Sequence, residues 1–466
     1  MSDTLNYAGD FRVEKAEILT STGVVINIAP FLLHVTIFED ILTPSLSGDI
    51  VMFDNQNMIL NGPFIGQEQL RLVLSTPTMQ DKKDKLYFVE EPLMIYKIKK
   101  QSKVNNSTQT YVLSFITNET LTNERMTVSK SFDGSFSDLV ENMFLSELKS
   151  TKSIMLEETI NSKRIVIPDI KPFDVIRNAM VQSISKTNEF ASFVFYETKS
   201  GYHFRSLESL YAKKSAYDYA FFQANQKNDD NKIASDYSRI RNYKILGSSD
   251  LLLGTRGGFF GSNLLVHDSY NKEVNRYTFN YFDNFHEKEQ IGYYDGGSGK
   301  SNPIFSQVQV DNDGNRISDF PNSRTHLHST AIKNTTTGTS ASHEVNGNYS
   351  FSGSKINEWY LQRQSKFMGL SFSHILEVEI AGITGIEAGD TVNIELPITG
   401  VGNTEGERVD TIRSGKFLIK ELRHDFNMTD KQHGIKMNVV KNSVSKYHSS
   451  GANAPTRRKS SKIRKY

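Results

Sequence analysis

Ser354-Lys-Ile-Asn-Glu-Trp-Tyr-Leu-Gln-Arg-Gln-Ser-Lys-Phe-Met-Gly369 opens the stretch on which the fold turns, residues 354–442. Ile356, Tyr360, Arg363 and Phe367 fall on one face at helical spacing, and Gly369 is placed to close the helix. Beyond it Leu376, Val378 and Ile380 alternate with Glu377, Glu379 and Ala381, and Val392, Ile394 and Leu396 alternate with Asn393 and Glu395. Alternation with period two marks half-buried strands. The connection Gly382-Ile-Thr-Gly-Ile-Glu-Ala-Gly-Asp390 turns the chain between them. Two further strands are expected over 416–422 and 435–440, the second with Ile435, Met437 and Val439 on one face. The pattern predicts a helix followed by a four-strand antiparallel meander.

Working outward, residues 126–208 offer elements that cannot shield themselves. Ser135-Phe-Ser-Asp138 reads as a capping box ahead of the stripe Phe136, Leu139, Val140, Met143 and Phe144. Pro172 sits at a first helical position, followed by Phe173, Ile176, Met180 and Ile184 on one face. A hairpin over Thr198-Lys-Ser-Gly201 comes next. Two helices and a hairpin are half a domain, so the missing strands are expected to be those of 376–440. Residues 11–125 read as strands almost throughout, including a long hairpin across Val104-Asn-Asn-Ser107 with Tyr111, Leu113 and Phe115 inward.

Four segments follow from these patterns. Residues 8–125 form a first β domain, completed by 209–250, and 126–208 with 355–445 form a second. Residues 251–354, rich in Gly, Ser and Asn, are an insertion between the halves of the second, and 446–466 are a basic tail. The fold class is mainly β of the α+β kind. At 466 residues the chain can bury sizeable cores, and 54 Lys plus Arg against 53 Asp plus Glu leave no global charge that favours nucleic acid or membrane. The absence of cysteine excludes disulfides, zinc-thiolate sites and a Cys nucleophile, and suits a reducing cytosol. No apolar run approaches membrane-spanning length, and Met-Ser-Asp-Thr-Leu-Asn-Tyr7 does not begin like a signal peptide.

Candidate chemistry is sparse. Gly296-Gly-Ser-Gly-Lys-Ser301 looks like the end of a phosphate-binding loop, but Tyr294 stands where the first glycine belongs and Asn302-Pro303 blocks the helix that would follow. Asp311-Asn-Asp-Gly-Asn315 has calcium-loop spacing without the bidentate acid seven residues on, so a tight turn is expected. His326 and His328 can share a strand face, but no third metal ligand is suggested nearby. Trp359, the only tryptophan, lies one position off the main helical face and is read as core, with an interface anchor as the other reading. No catalytic motif is present, and we expect no catalytic residue, cofactor or metal. The tail carries Arg457, Arg458, Lys459, Lys462, Arg464 and Lys465 with no apolar stripe, as a contact for an acidic partner would.

In its order of elements the chain resembles the central baseplate hub proteins of T4-like contractile-tailed phages, and more distantly the hub part of VgrG spike proteins. The resemblance rests on Lys171-Pro-Phe-Asp-Val-Ile-Arg-Asn-Ala-Met180 ahead of Phe190-Ala-Ser-Phe-Val-Phe-Tyr196, and on Gly385-Ile-Glu-Ala-Gly-Asp390 and Phe417-Leu-Ile-Lys-Glu-Leu-Arg-His-Asp-Phe426. It covers most of residues 11–444. It implies two tail-tube-like antiparallel β-barrel domains with flanking helices, and a homotrimer presenting six such domains in a ring. The implied role is a structural hub of the virion tail baseplate, assembled in the host cytoplasm. There it adapts a sixfold tail tube protein above to a threefold spike or needle protein below, meets baseplate wedge or tape-measure proteins, and lines a conduit for DNA without membrane insertion. The spike itself is expected on another polypeptide. The alternative is a tail-tip enzyme such as a peptidoglycan hydrolase with its site in the insertion.

Overall fold

The computed structural model describes residues 7–444 apart from 63, 80, 161, 222–235, 248–249, 269–271, 288, 293–300, 308, 310–311, 331–355 and 399–408. The chain is mainly β, with antiparallel sheets and a few helices. The first half contributes β1 (Arg12–Leu19), β2 (Val25–Asn27), β3 (Leu32–Asp40), β4 (Ser47–Asp54), β5 (Gln69–Ser75), β6 (Leu86–Asn105) and β7 (Thr108–Ile116). The middle holds β8 (Val128–Ser135), β9 (Ile154–Leu156), β10 (Ser162–Ile170), β11 (Phe193–Thr198), β12 (Gly201–Ser206), β13 (Ser215–Ala220) and β14 (Ile240–Gly247). The insertion adds β15 (Gly261–Asp268), β16 (Glu273–Asn280), β17 (Asn302–Pro303) and β18 (Thr325–Thr330). The last part supplies β19 (His374–Ala381), β20 (Thr391–Glu395), β21 (Gly415–Asn427), β22 (Gln432–Lys441) and β23 (Ser443–Val444).

The strands expected in two barrels are hydrogen-bonded into one 13-stranded sheet, ordered β14-β19-β22-β21-β3-β4-β7-β6-β5-β1-β2, with β20 on β21 and β13 on β20. The join is β21. Its first residues pair with β20 from Gly415 to Leu418, and its last pair with β3 from Glu421↔Asp40 to Asn427↔His34. A register shift against β22 between Ile419 and Glu421 marks the change of partner, as a bulge re-aims a strand. On one side of the join Phe417, Leu418, Ile419 and Leu422 enter a core with Val392, Met437 and Val439. On the other side Phe426 enters a core with Val35, Ile37, Tyr111, Leu113 and Phe115.

The four last strands do not form a simple meander, because β19 pairs with β22 rather than β20. The connection after β19 is itself core, with Ile386 and Ala388 fully buried, so it crosses the end of the sheet and delivers β20 to the far side of β21. The result is a Greek-key order. Nor does 209–250 complete the first set of strands: β13 pairs in parallel with β20 and β14 pairs with β19, both at the other end of the sheet.

The helical layer follows the sequence closely. Ser135 Oγ accepts from Asp138 N in a full capping box, and the whole stripe from Phe136 to Phe144 is buried, although the helix Phe136–Asn142 widens into a π turn over Met143–Glu147. Pro172 opens the helix Pro172–Gln182. The β11–β12 hairpin lies between layers. Phe193, Phe195, Tyr202 and Phe204 face these helices, while Val194 and Tyr196 face the core of the last strands. Burial on both faces explains the unbroken apolar run 193–196.

The long helix runs from Ile356 to Phe372, past Gly369, where it was expected to end. Gly369 stays helical, and a Cβ there would meet only the Phe259 ring, at an ordinary contact distance of 3.8 Å, so nothing in its surroundings ends the helix. The single expected face is also replaced. The insertion sheet β16-β15-β18 packs Leu264 and Val266 on Ile356, Trp359 and Leu361, whereas Leu370 and Phe372 enter two other cores. A helix covered from several sides needs no single stripe. Trp359 is core, at 6% exposure.

Candidate assembly interface

The seam between the two cores is held by buried ionisable side chains and their hydrogen bonds. Glu39, on β3, accepts from Lys199 N at 2.9 Å and Ala388 N at 2.8 Å, so one carboxylate ties the first strands to the β11–β12 turn and to the loop before β20. Burial, with Glu387 nearby, pushes the Glu39 carboxyl up to about 8. Glu387 in turn accepts from Thr198 Oγ1 at 2.9 Å and Ser200 Oγ at 2.7 Å. Lys199 Nζ donates to Thr384 O at 2.6 Å, and its pKa is lowered by the same burial. Gly389 holds the turn at φ +83, where a Cβ would also strike the Tyr196 hydroxyl. A second knot lies beside the first. Lys152 Nζ is 2.7 Å from both Glu119 and Glu197, and Glu197 also accepts from Leu46 N and Thr117 Oγ1. Burial opposes the charge on Lys152, but the two carboxylates outweigh it and raise its pKa.

The rims of the sheet are the opposite. β14 is the outermost strand at one end and, among the described residues, pairs only with β19. Ile245 and Leu246 on it are about half exposed, and the short helix Leu251–Gly257 that follows presents Leu252 at 83% exposure with Leu253 at 55%. At the other end β2, among the described residues, pairs only with β1, and Val24 and Val25 are exposed. An unpaired strand edge bordered by apolar side chains is a template for another chain. The seam fixes the two rims relative to each other.

A cleft of about 330 Å³ lies between the insertion and the long helix. Phe259, Phe285 and Phe372 are buried in its floor. Tyr277, Phe279, Tyr281 and Phe305 line it half-buried, with Asn284, Gln290, Gln362 and Ser365 among the polar residues. Glu189 and Glu287 also line it.

Of the residues singled out from sequence, the six basic residues Arg457, Arg458, Lys459, Lys462, Arg464 and Lys465 lie outside the described residues, as do 296–300 and Asp311. Gln309 bridges Arg316 in antiparallel fashion with Gly314 at φ +87, so that segment is a turn. His326 Nδ1 pairs with the Tyr360 hydroxyl at 3.2 Å, and burial lowers its pKa. Among the described residues no three His, Asp or Glu side chains converge as metal ligands. The seam charges went unnoticed in sequence, yet the strand period carried a signal. Glu39 continues the inward phase of Val35 and Ile37, and Glu197 that of Phe193 and Phe195.

The sequence matches no family model and no curated protein. The fold is nonetheless shared with tail proteins. The tail protein from Neisseria meningitidis aligns with TM-score 0.53 and 10% identity, over 93% of this chain and 97% of its own. The 43 kDa tail protein of prophage MuSo2 from Shewanella oneidensis aligns with TM-score 0.50 and 11% identity, over 92% and 98%. The tail-protein resemblance read from the order of elements therefore holds at the level of fold.

Proposed function

We propose that the chain is a structural hub of a contractile phage tail baseplate, acting as a homotrimer. The observation that carries this reading is a single sheet whose seam is locked by buried charge while both rims carry exposed apolar side chains beside unpaired strands. Such a unit closes into a ring by rim-to-rim contact between copies. With two quasi-equivalent sets of strands per chain, three copies present six to a sixfold tail tube and three to a threefold spike, and afterwards line the path of DNA. Wedge or tape-measure proteins would meet its outer faces, and the basic tail from 446 would dock on an acidic neighbour. No helix among the described residues is long and apolar enough to cross a membrane. The test is the mass of the purified chain by light scattering over a range of concentrations. A species of roughly three times 52.8 kDa is expected, and a monomer that persists even with tail tube and spike proteins added overturns the hub.

The tail-tip hydrolase draws on one observation, the two carboxylates Glu189 and Glu287 at the cleft beside the insertion. Release of soluble fragments from purified peptidoglycan, abolished by Glu189→Gln or Glu287→Gln, would replace the hub reading with that one.

A further inference from the structure

We infer that the cleft between the insertion and the long helix is a binding site for a neutral saccharide. Its volume of about 330 Å³ lies at the lower end of small-ligand pockets and accommodates a mono- or disaccharide. The walls pair two chemistries that a sugar ring needs together. Half-buried rings of Tyr277, Phe279, Tyr281 and Phe305 offer flat apolar faces to the C–H faces of a pyranose. Neutral amides and hydroxyls of Asn284, Gln362 and Ser365 stand among them for the ring hydroxyls.

The wall also holds hydrogen-bonding capacity that the protein does not use. Gln290 is a fixed prop: its Nε2 donates to Phe285 O at 2.7 Å, and its Oε1 accepts from Asn442 at 2.7 Å and Lys366 at 3.1 Å. By contrast the Tyr277 hydroxyl and Gln362 Nε2 are shielded from solvent and have no partner among the described residues. Buried polar groups are ordinarily paired, and each of these two becomes so when its side chain turns toward a ligand hydroxyl.

Charge narrows the ligand class. Among the described residues the one ammonium lining the cleft, Lys366, is held by Glu289 O and Gln290 Oε1 and lies 3.7 Å from the Glu208 carboxylate, so it is not set out for a phosphate. Glu189 and Glu287 add negative potential that repels nucleotides and acidic sugars. A neutral polyol that stacks on rings meets every wall without an unpaired charge.

The inference is independent of the trimer, since it concerns one chain and its test needs no assembly. The experiment is calorimetric titration of the whole chain with N-acetylglucosamine, its β-1,4-linked trimer, cellotriose and maltotriose, and with ATP and a tetra-arginine peptide as competing chemistries. At least one saccharide is expected to bind with a Kd below about 10 mM. Tyr277→Phe with Gln362→Ala should weaken it about tenfold for each hydrogen bond lost, with little change in melting temperature. Absence of heat from all four saccharides at about 10 mM overturns the proposal, as does saccharide binding that the double variant leaves unchanged. Binding of ATP or the peptide in their place shows an anion or cation site instead and also overturns it. If the double variant fails to fold, the wild-type titration alone decides.

Discussion

The seam and the rims of the one sheet treat water in opposite ways. At the seam, Glu39, Lys152, Glu197 and Lys199 are withdrawn from solvent and hydrogen-bonded to backbone or to one another. At the rims, Leu252, Leu253, Ile245 and Val25 face solvent beside strands with an open side. Charge buried inside one chain costs desolvation once and persists only where its geometry is complete. Apolar surface left outside is a cost that another surface removes. The difference separates a permanent intramolecular joint from a contact to be made later, and it can be broken at either end.

The largest effect is expected where both cores depend on strand phase. Ile394 and Met437 are fully buried in the core beside the seam. Ile394→Asp or Met437→Asp should give no soluble folded chain, because each sets an unpaired carboxylate in an apolar site. Wild-type yield and melting of either variant would show that the seam does not rest on this core. Next comes the joint itself. Glu197→Ala removes an acceptor from Lys152, Leu46 N and Thr117 Oγ1 together. A loss of about 3–5 kcal/mol is expected in urea unfolding, the range for breaking one side of a buried pair. A loss below about 1 kcal/mol would reduce the knot to an ordinary surface pair.

How much of this was legible in the sequence differs between the same two regions. The strands, the capping box at Ser135, the Pro172 helix start and the β11–β12 hairpin were readable because each is written in local spacing. The Greek-key order was not, since Ile386 and Ala388 look like a turn until one sees that they are buried in one core with Ile419 and that Ala388 N donates to Glu39. The long helix misled for a related reason: amphipathic spacing presumes one buried side, and this helix is covered by three cores. The seam charges were written in the strand phase. The rims were not, because exposure of Leu251-Leu-Leu253 depends on where the sheet stops.

Acid should loosen the molecule by a few kcal/mol through a pair near the seam. His424 Nδ1 and His433 Nε2 lie 3.0 Å apart, both fully buried, with the His433 ring stacked on Phe426 at 3.9 Å. Burial holds His424 down to about 3 and His433 well below its usual value, with His424 adding to the latter. Both therefore bind protons in the unfolded chain before the folded one. Their contribution is complete above about 6.5 and is lost as pH falls from there toward 3. Unfolding free energy should decline over that window, and His424→Gln should flatten the decline. An unchanged slope in the variant would assign acid sensitivity to other groups.

The smallest effect on stability, and the most informative for assembly, is expected at the rim. Leu252 has 83% of its surface in water, so Leu252→Glu removes no intramolecular packing and should change unfolding free energy by less than about 0.5 kcal/mol. If the rim meets another copy, the new carboxylate has to be desolvated in that contact, and the oligomer should fall apart at concentrations where the wild type holds together. Light scattering and urea melts on the same preparation separate the two outcomes. A variant that dissociates yet unfolds like the wild type marks the rim as a contact surface. A variant that unfolds early while its mass stays constant would move Leu252 from the interface to the fold and leave β14 without its assigned partner.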